Sequence, residues 1–327
     1  MKKFVLVRTP MRISFVGGGT DFKEYYKNFG GCVLSSSINK YVYIAINQYH
    51  NVNKCLLKYS KTEHVNKIND IKHPIIKKSL TITKLWGLDI NSIADIPSGT
   101  GLGSSSSFTV GLIHALNLIG NKNTSKNKLA TEACKIEINM VKSPIGKQDQ
   151  YAAAFGGINK FEFKKNENVK ITNFNNQIDL KNFKNNILIF NTGIKNKNLK
   201  VLNEQKKNII KGGSHLKILH CMKKLVNEFI NSLKISDYKT CGEIIDNNWH
   251  LKKQLSSNIN NHFFNDVYNL SRMNGAYGGK ILGAGGRGYL LLIVPKKYHK
   301  NIKKKLYKLE EFKFDFETDG SKVLYKS

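Results

Sequence analysis

The chain has 327 residues, of which 40% are hydrophobic and 23% charged, which suits two globular domains and excludes a disordered or fibrous protein. Its net charge is +30, yet only four of its 53 basic residues are arginines. The lysines run alongside many asparagines throughout the chain. We therefore interpret the charge as a compositional bias and a cationic surface suited to anionic substrates, and expect no nucleic-acid partner.

Features of secreted or membrane proteins are lacking in the sequence. The five cysteines are scattered without the paired spacing of a zinc or redox site, which predicts reduced core residues. Arg8 and Pro10 interrupt the N-terminal apolar run, so it predicts a first strand rather than a signal peptide. No apolar stretch approaches the roughly 20 residues that span a bilayer. We expect a cytoplasmic protein without membrane contact, and no feature fixes its oligomeric state.

The first half of the chain alternates short β-rich runs with helical patterns, which is typical of an α+β domain. Strands are predicted over residues 4–7, 13–16 and 41–47, with a short helix near 22–28. Helical spacing follows over 108–118, directly after a loop rich in glycine and serine, and over 128–141.

The second half begins with strand-like segments and continues with longer helical ones. Strands are predicted over residues 158–163, 169–174 and 187–191, helices over 199–235, 237–255 and 263–274, and a last strand over 289–294. We place the domain boundary after residue 160, with an N-terminal domain of residues 1–160 and a C-terminal domain of residues 161–327.

The strongest functional signal is the segment PSGTGLGSSSS, from Pro97 to Ser107, which runs directly into an apolar helix. Glycines let a backbone curl and turn successive N–H groups toward an anion, and the helix N-terminus adds positive potential. The segment lacks the Lys-Ser/Thr end of the P-loop and the glycine spacing of the Rossmann motif. It predicts a phosphate-binding loop of another class.

This loop resembles the nucleotide motif of the GHMP kinases, which include galactokinase, homoserine kinase and mevalonate kinase. RTPMRISFVGGGTD at residues 8–21 resembles the first motif of that family, and KILGAGGRG at residues 280–288 resembles its third. The resemblance implies an α+β, two-domain GHMP kinase fold with an S5-like N-terminal domain and a ferredoxin-like C-terminal domain. It also implies ATP as the phosphate donor and Mg²⁺ as the metal.

The same resemblance implies roles for individual residues. Asp149, in GKQDQY, matches the catalytic base that takes the proton of a sugar hydroxyl, and Arg12 matches the arginine that keeps this base ionised. Ser105 and Glu137 match the positions that supply a hydroxyl and a carboxylate to Mg²⁺. The implied nucleotide contacts are Pro97, Gly99, Gly101, Leu102, Gly103, Ser104, Ser105 and Ser106. The implied substrate contacts are Gly18, Gly19, Thr20, Asp21, Gly285 and Gly286.

The form GGGTD at residues 17–21 is most similar to the D-glycero-D-manno-heptose 7-phosphate kinases and their fucokinase-like relatives. Galactokinases carry Glu-His where this chain has Gly18 and Gly19. The resemblance implies phosphorylation of a heptose 7-phosphate at its anomeric hydroxyl, which yields a 1,7-bisphosphate for nucleotide-activated heptose and surface polysaccharide. For the acceptor's own phosphate, the candidates are lysines facing the cleft, such as Lys147, Lys252 or Lys280.

Three alternatives stay open at this point. The chain could phosphorylate an unphosphorylated sugar such as fucose, serve as a non-catalytic sugar sensor, or bind RNA through its S5-like domain. A sensor is disfavoured, because a binder needs neither a base nor metal ligands, and the chain has Asp149, Arg12, Ser105 and Glu137.

The third motif departs from the family pattern at one position. Arg287 stands where relatives commonly have glycine.

Overall fold

Two β-sheets organise the chain in a computed structural model, which describes residues 3–193, 199–259, 262–285 and 288–327. Within these residues one sheet has eight strands and the other has four. The first contains β1 (Phe4–Val16), β2 (Gly31–Gln48), β3 (Cys55–Lys58), β4 (Thr62–Val65), β5 (Leu88–Ala94), β6 (Ile158–Phe163), β7 (Val169–Asn173) and β12 (Lys322–Lys326). The second contains β8 (Ile187–Asn191), β9 (Gly278–Ile281), β10 (Tyr289–Ile293) and β11 (Glu310–Glu311).

Helices cover and connect these sheets. Their bounds are α1 (Lys23–Phe29), α2 (Pro74–Thr83), α3 (Ser104–Ile119), α4 (Lys126–Cys134), α5 (Gln148–Phe155), α6 (Leu180–Lys184), α7 (Leu199–Lys211), α8 (Ser214–Lys234), α9 (Tyr238–Lys253), α10 (His262–Met273) and α11 (His299–Lys305). A π-helical turn, Lys135–Met140, continues α4. No helix in the described ranges is long and apolar enough to cross a bilayer.

The long antiparallel pair of β1 and β2 forms the centre of the first sheet, whose strand order is β12-β1-β2-β5-β3-β4, with β6 and β7 continuing from β2. The two pieces predicted for β1 form one strand, because the register shift between Pro10 and Met11 accommodates the missing proline N–H without ending the strand. Helix α3 packs on β1 and β2. The middle of β1 lies beside the start of α3, because the hydroxyl of Ser107 donates to the carbonyl of Pro10 and the N–H of Arg12 donates to the carbonyl of Leu102.

The second sheet, in the order β11-β8-β10-β9, is antiparallel, and α9 packs on β9 and β10. The single helix predicted over residues 199–235 is wrong, because the chain forms α7 and α8 with a break between them. Gly212 and Gly213 take φ values of +79° and +64° at the break, which helical residues cannot adopt.

The predicted domain boundary at residue 160 falls inside β6, which pairs with β2 from Gly31 to Ser36. Strands β7 and β12 also belong to the first sheet, so the two sheets do not separate at that residue. The pairing of β6 with β2 was not visible in the sequence, because ladder partners far apart in the chain leave no local pattern.

A continuous apolar core joins the elements of the two halves. The ring centroid of Phe15, near the end of β1, lies 5.3 Å from that of Phe183 in α6 and 5.7 Å from that of Phe229 in α8. All three rings are buried. This packing fixes the glycine loop after β1 against helices of the second half of the chain.

Candidate active site

The predicted phosphate loop connects β5 to α3 and ends at Gly103, which precedes the first residue of the helix. Gly99, Gly101 and Gly103 all have φ values between +78° and +86°, so the backbone curls as predicted. The N-cap residue of α3 is Gly103, which has no side chain to cap the first-turn N–H groups. Pro97 and Gly99 are exposed, whereas Leu102 is buried beneath the loop. The loop therefore has the form of an anion-binding helix start.

The phosphate loop lies directly against the third motif, backbone on backbone. A Cβ built on Gly283 would be 2.5 Å from Cα of Gly101, and one built on Gly101 would be 2.7 Å from the carbonyl oxygen of Leu282. A Cβ on Gly288 would likewise clash with the carbonyl of Thr100. Glycine is needed at these positions because any side chain would push the two loops apart.

Arg12 and Asp149 form a two-pronged ion pair beside the phosphate loop. The Nε and Nη2 atoms of Arg12 donate to the two carboxylate oxygens of Asp149 at 2.7 and 2.6 Å, and its Nη1 donates to the carbonyl of Gly101 at 2.6 Å. Arg12 is only 5% exposed. Asp149 lies in the first turn of α5, where the helix dipole also favours a carboxylate. The pair joins the predicted base to the predicted nucleotide loop.

Asp21 is held in the loop after β1 by backbone N–H groups. Its Oδ1 accepts from Gly19 at 2.9 Å and its Oδ2 from Gln148 at 3.1 Å. Burial raises the pKa of Asp21, and the nearby carboxylate of Asp149 adds to the rise, while these two hydrogen bonds oppose it. Gly146 packs so closely on Asp21 that a Cβ there would overlap the carboxylate.

Thr20 has a structural part in the same loop. Its hydroxyl oxygen lies 2.8 Å from the carbonyl oxygens of both Gly17 and Cys32, either of which can accept its one proton, and it accepts from the N–H of Cys32 at 3.0 Å. Thr20 is fully buried. The hydroxyl is thus engaged in shaping the loop, and the substrate contact expected of Thr20 stays a prediction.

Glu137 is buried at the N-terminal end of α3. Its Oε1 accepts from Ser105 at 2.9 Å, and its Oε2 accepts from Ser106 at 2.7 Å and from Gln150 at 2.6 Å. Burial raises the pKa of Glu137, while these three hydrogen bonds favour its ionised form. The structure thus brings Ser105 and Glu137 together as the metal prediction requires.

The oxygen donors of this pair fit a magnesium ion. Ser105 is exposed and offers a hard oxygen atom at the edge of the phosphate loop, and Oε1 of Glu137, buried behind it, accepts from Ser105 alone among the described residues. Across the described ranges, no group of three or more His, Cys, Asp or Glu side chains could hold a metal ion. The ion would then depend on nucleotide phosphates and water for its other ligands, as magnesium usually does.

The three lysines that the sequence offered for a substrate phosphate have different environments. Lys147 pairs with Glu167 and lies 4.6 Å over the ring of Tyr26. Lys280 is 1% exposed and donates to the carbonyls of Ser14 and Phe15 at 3.0 and 2.9 Å.

Lys252, in the last turn of α9, donates to the carbonyl of Gly283 at 2.6 Å. Burial lowers the pKa of Lys252 to about 8, and the negative charges of Asp21 and Asp149 limit the fall. A Cβ on Gly285 would lie 3.5 Å from Cε of Lys252, so this predicted substrate residue faces the same amine. Gly286 and Arg287 lie outside the described residues.

Sequence reasoning missed two glutamines that organise the site. Gln148 accepts from the hydroxyl of Ser14 at 2.8 Å and donates to Asp149 at 3.1 Å, and Gln150 binds Glu137. Both flank Asp149 in the motif GKQDQY, and both are buried. Their alternation around the predicted base was the available signal, because glutamines are seldom buried without a polar partner.

Comparisons with known proteins show that the chain is similar to sugar kinases over most of its length. Residues 70–157 match the family "GHMP kinases N terminal domain". D-glycero-alpha-D-manno-heptose 7-phosphate kinase of Campylobacter jejuni is 30% identical over 96% of each chain. A galactokinase of Pyrococcus furiosus is 25% identical over 91% of each chain. The structure of a D-glycero-D-manno-heptose 1-phosphate kinase from Bacteroides thetaiotaomicron matches with a TM-score of 0.79 and 20% identity over 99% of both chains.

The chain therefore belongs to the GHMP kinases and has their α+β, two-domain fold. It is a phosphotransferase with an alcohol group as acceptor, and ATP is the phosphate donor in this family.

Proposed function

We propose that the protein is an ATP- and Mg²⁺-dependent sugar kinase that phosphorylates a D-glycero-D-manno-heptose 7-phosphate at its anomeric C1 hydroxyl. The observation that carries the proposal is the Arg12–Asp149 pair. The third guanidinium nitrogen of Arg12 donates a hydrogen bond to the phosphate loop, at the carbonyl of Gly101. This arrangement places a carboxylate that can accept a proton next to the loop predicted to bind the nucleotide phosphates. The Campylobacter relative and the GGGTD segment support the choice of acceptor.

In this reaction Asp149 takes the proton of the C1 hydroxyl as its oxygen attacks the γ-phosphorus of ATP. The new C1–O–P bond forms while the bond between the γ-phosphorus and the bridging oxygen breaks, and ADP leaves with that electron pair. Arg12 orients the Asp149 carboxylate through its two hydrogen bonds and offsets negative charge on the transferred group. The proton stays on Asp149 until it exchanges with solvent, for which its carboxylate has access.

The other predicted residues bind and orient the two substrates. Asp21 accepts hydrogen bonds from sugar hydroxyls beside Gly18 and Gly19, and the N–H groups of residues 99–106 bind nucleotide phosphates. Ser105 and Glu137 would hold Mg²⁺, which neutralises phosphate charge in the transition state. We propose a cytoplasmic location because ATP and phosphorylated sugars are found there. Synthesis of nucleotide-activated heptose for a surface polysaccharide would use the resulting 1,7-bisphosphate.

A coupled assay of ADP release over a panel of acceptors tests this proposal. The panel contains heptose 7-phosphate, the free heptose, fucose and galactose, and phosphorus NMR identifies the phosphorylated carbon of the product. We expect the highest kcat/KM with heptose 7-phosphate and a product phosphorylated at C1, with Asp149→Asn as the inactive control. A preference for a free sugar would reject the heptose phosphate while leaving a sugar kinase. No turnover of any sugar would reject the sugar kinase itself.

A further inference from the structure

Lys252 carries a buried positive charge that lacks a carboxylate partner. Lys252 is 5% exposed, and its Nζ donates to the carbonyl of Gly283 at 2.6 Å. Among the described residues no Asp or Glu forms a salt bridge with it. A buried ammonium group has three donors and a large desolvation cost, so one neutral carbonyl leaves it poorly compensated.

The amine lies between the first and third glycine loops. A Cβ built on Gly18 would be 4.0 Å from Nζ of Lys252, and one on Gly285 would be 3.5 Å from its Cε. Asn248, one turn earlier on α9, accepts from the N–H of Gly17 at 3.3 Å, while its Nδ2 is buried without a partner among the described residues. One face of α9 therefore presents two under-used donor groups to the loop predicted to bind the acceptor.

The charges around this amine leave a net positive balance for a ligand to complete. Asp149 is already paired with Arg12 in two-pronged geometry, and both oxygens of Asp21 accept from backbone N–H groups. Lys280 adds a second buried amine, although its two carbonyl partners on β1 occupy it. A negatively charged group entering beside Lys252 would supply the missing counter-charge.

We propose that Lys252 binds the phosphate that the acceptor sugar already carries, and so selects a sugar phosphate over the free sugar. This inference rests on the proposed function, whose acceptor it explains. The acceptor is favoured over the nucleotide because Lys252 adjoins Gly18, whereas Arg12 is the cation that contacts the nucleotide loop at Gly101. Lys147 is paired elsewhere, with Glu167.

Lys252→Met provides the main test. Methionine has a side chain of similar length, so the substitution removes the unpaired buried charge without opening a cavity. Lys253→Met is the matched control, since it makes the same change on the neighbouring residue, which lies over the ring of Trp249. Thermal unfolding verifies that both variants fold. For each protein we would measure kcat/KM for heptose 7-phosphate and for the free heptose, and the Kd of ATP by calorimetry.

We expect Lys252→Met to lower kcat/KM for heptose 7-phosphate by about 10- to 100-fold, the range of one charge-assisted hydrogen bond. The kcat/KM for the free heptose and the Kd of ATP should each change by less than about threefold. Lys252→Arg should restore part of the loss in kcat/KM for heptose 7-phosphate. Lys253→Met should behave as the wild type.

The remaining outcomes count against the inference. A Lys252→Met protein that keeps the wild-type preference for the sugar phosphate would overturn it and leave the proposed function intact. An equal loss with both sugars together with weaker ATP binding would also overturn it, because the amine would then serve the nucleotide. Wild-type protein that prefers the free sugar would reject the proposed acceptor, and the inference with it.

A pH series adds an independent readout. The pKa of Lys252 is lowered to about 8 by burial, so the amine loses its charge as the pH rises through that value. Its charged neighbours are Arg12 on β1, Asp21 after β1, Asp149 on α5 and Lys280 on β9. A sugar phosphate is already fully ionised there, because its second pKa is about 6. The ratio of kcat/KM values for phosphorylated over free heptose should fall above pH 8 in the wild type and stay level in Lys252→Met and Lys252→Arg.

Discussion

Gly283→Ala should uncouple the two glycine loops and lower activity far more than it lowers stability. The new Cβ would lie 2.5 Å from Cα of Gly101, whereas ordinary contact begins near 3.4 Å, so the loops must separate by about 0.9 Å. The atoms of Gly101 that the new Cβ meets belong to the backbone, so no side chain can rotate to make room. Because a displacement of about 1 Å in a reactive site costs on the order of 100-fold in rate, we expect a loss of that size in kcat/KM for ATP.

Gly193→Ala is the matched control for this substitution. Gly193 has a φ of +71° against +72° for Gly283, but no atom lies within 4 Å of its Cβ position. Both variants therefore carry the left-handed backbone cost of about 1–2 kcal/mol, and only Gly283→Ala adds a clash. Urea unfolding and steady-state ATP kinetics would separate the two effects. Equal activity of the two variants would refute the idea that loop contact sets the position of the nucleotide.

Three further predictions concern the chemistry of the site. Asp149→Asn should fold and bind ATP normally by calorimetry while kcat falls by about 10²- to 10⁴-fold, and near-normal turnover would remove Asp149 from the mechanism. Ser105→Ala should raise the Mg²⁺ concentration needed for half-maximal activity, because a hard oxygen ligand is lost; an equal defect at all Mg²⁺ concentrations would indicate a collapsed loop instead. Higher ionic strength should raise the KM for heptose 7-phosphate more than that for free heptose, since salt screens charge, and equal responses would contradict a charged contact.

The local parts of the fold could be predicted from the sequence, whereas long-range pairing could not. Strands β6 and β8 have the predicted bounds because each is a short run of apolar and β-branched residues between polar turns. Helix α3 begins four residues earlier than its apolar pattern indicated, since serines 104–107 form its first turn. Strands β3 and β4 went unpredicted, because strands of four residues carry little periodicity.

For the site, motif resemblance predicted which residues meet, and the structure brings Arg12 to Asp149 and Ser105 to Glu137. Their catalytic and metal-binding roles stay predictions. The sequence could not single out Lys252, because burial of one lysine among many depends on how α9 packs against loops that are distant in the chain.

The π-helical turn at Lys135–Met140 has a consequence for comparing this chain with its relatives. A π turn holds one residue more than an α turn, and each residue of an α-helix rotates the next by about 100°. Without the extra residue, the position now occupied by Glu137 would point roughly a quarter turn away from Ser105. In a relative whose acidic residue stands one position away from that of Glu137, an alignment of the two sequences should therefore carry a one-residue gap near this turn. An apparent loss of the acidic residue there would be a shift in register rather than a loss of the carboxylate.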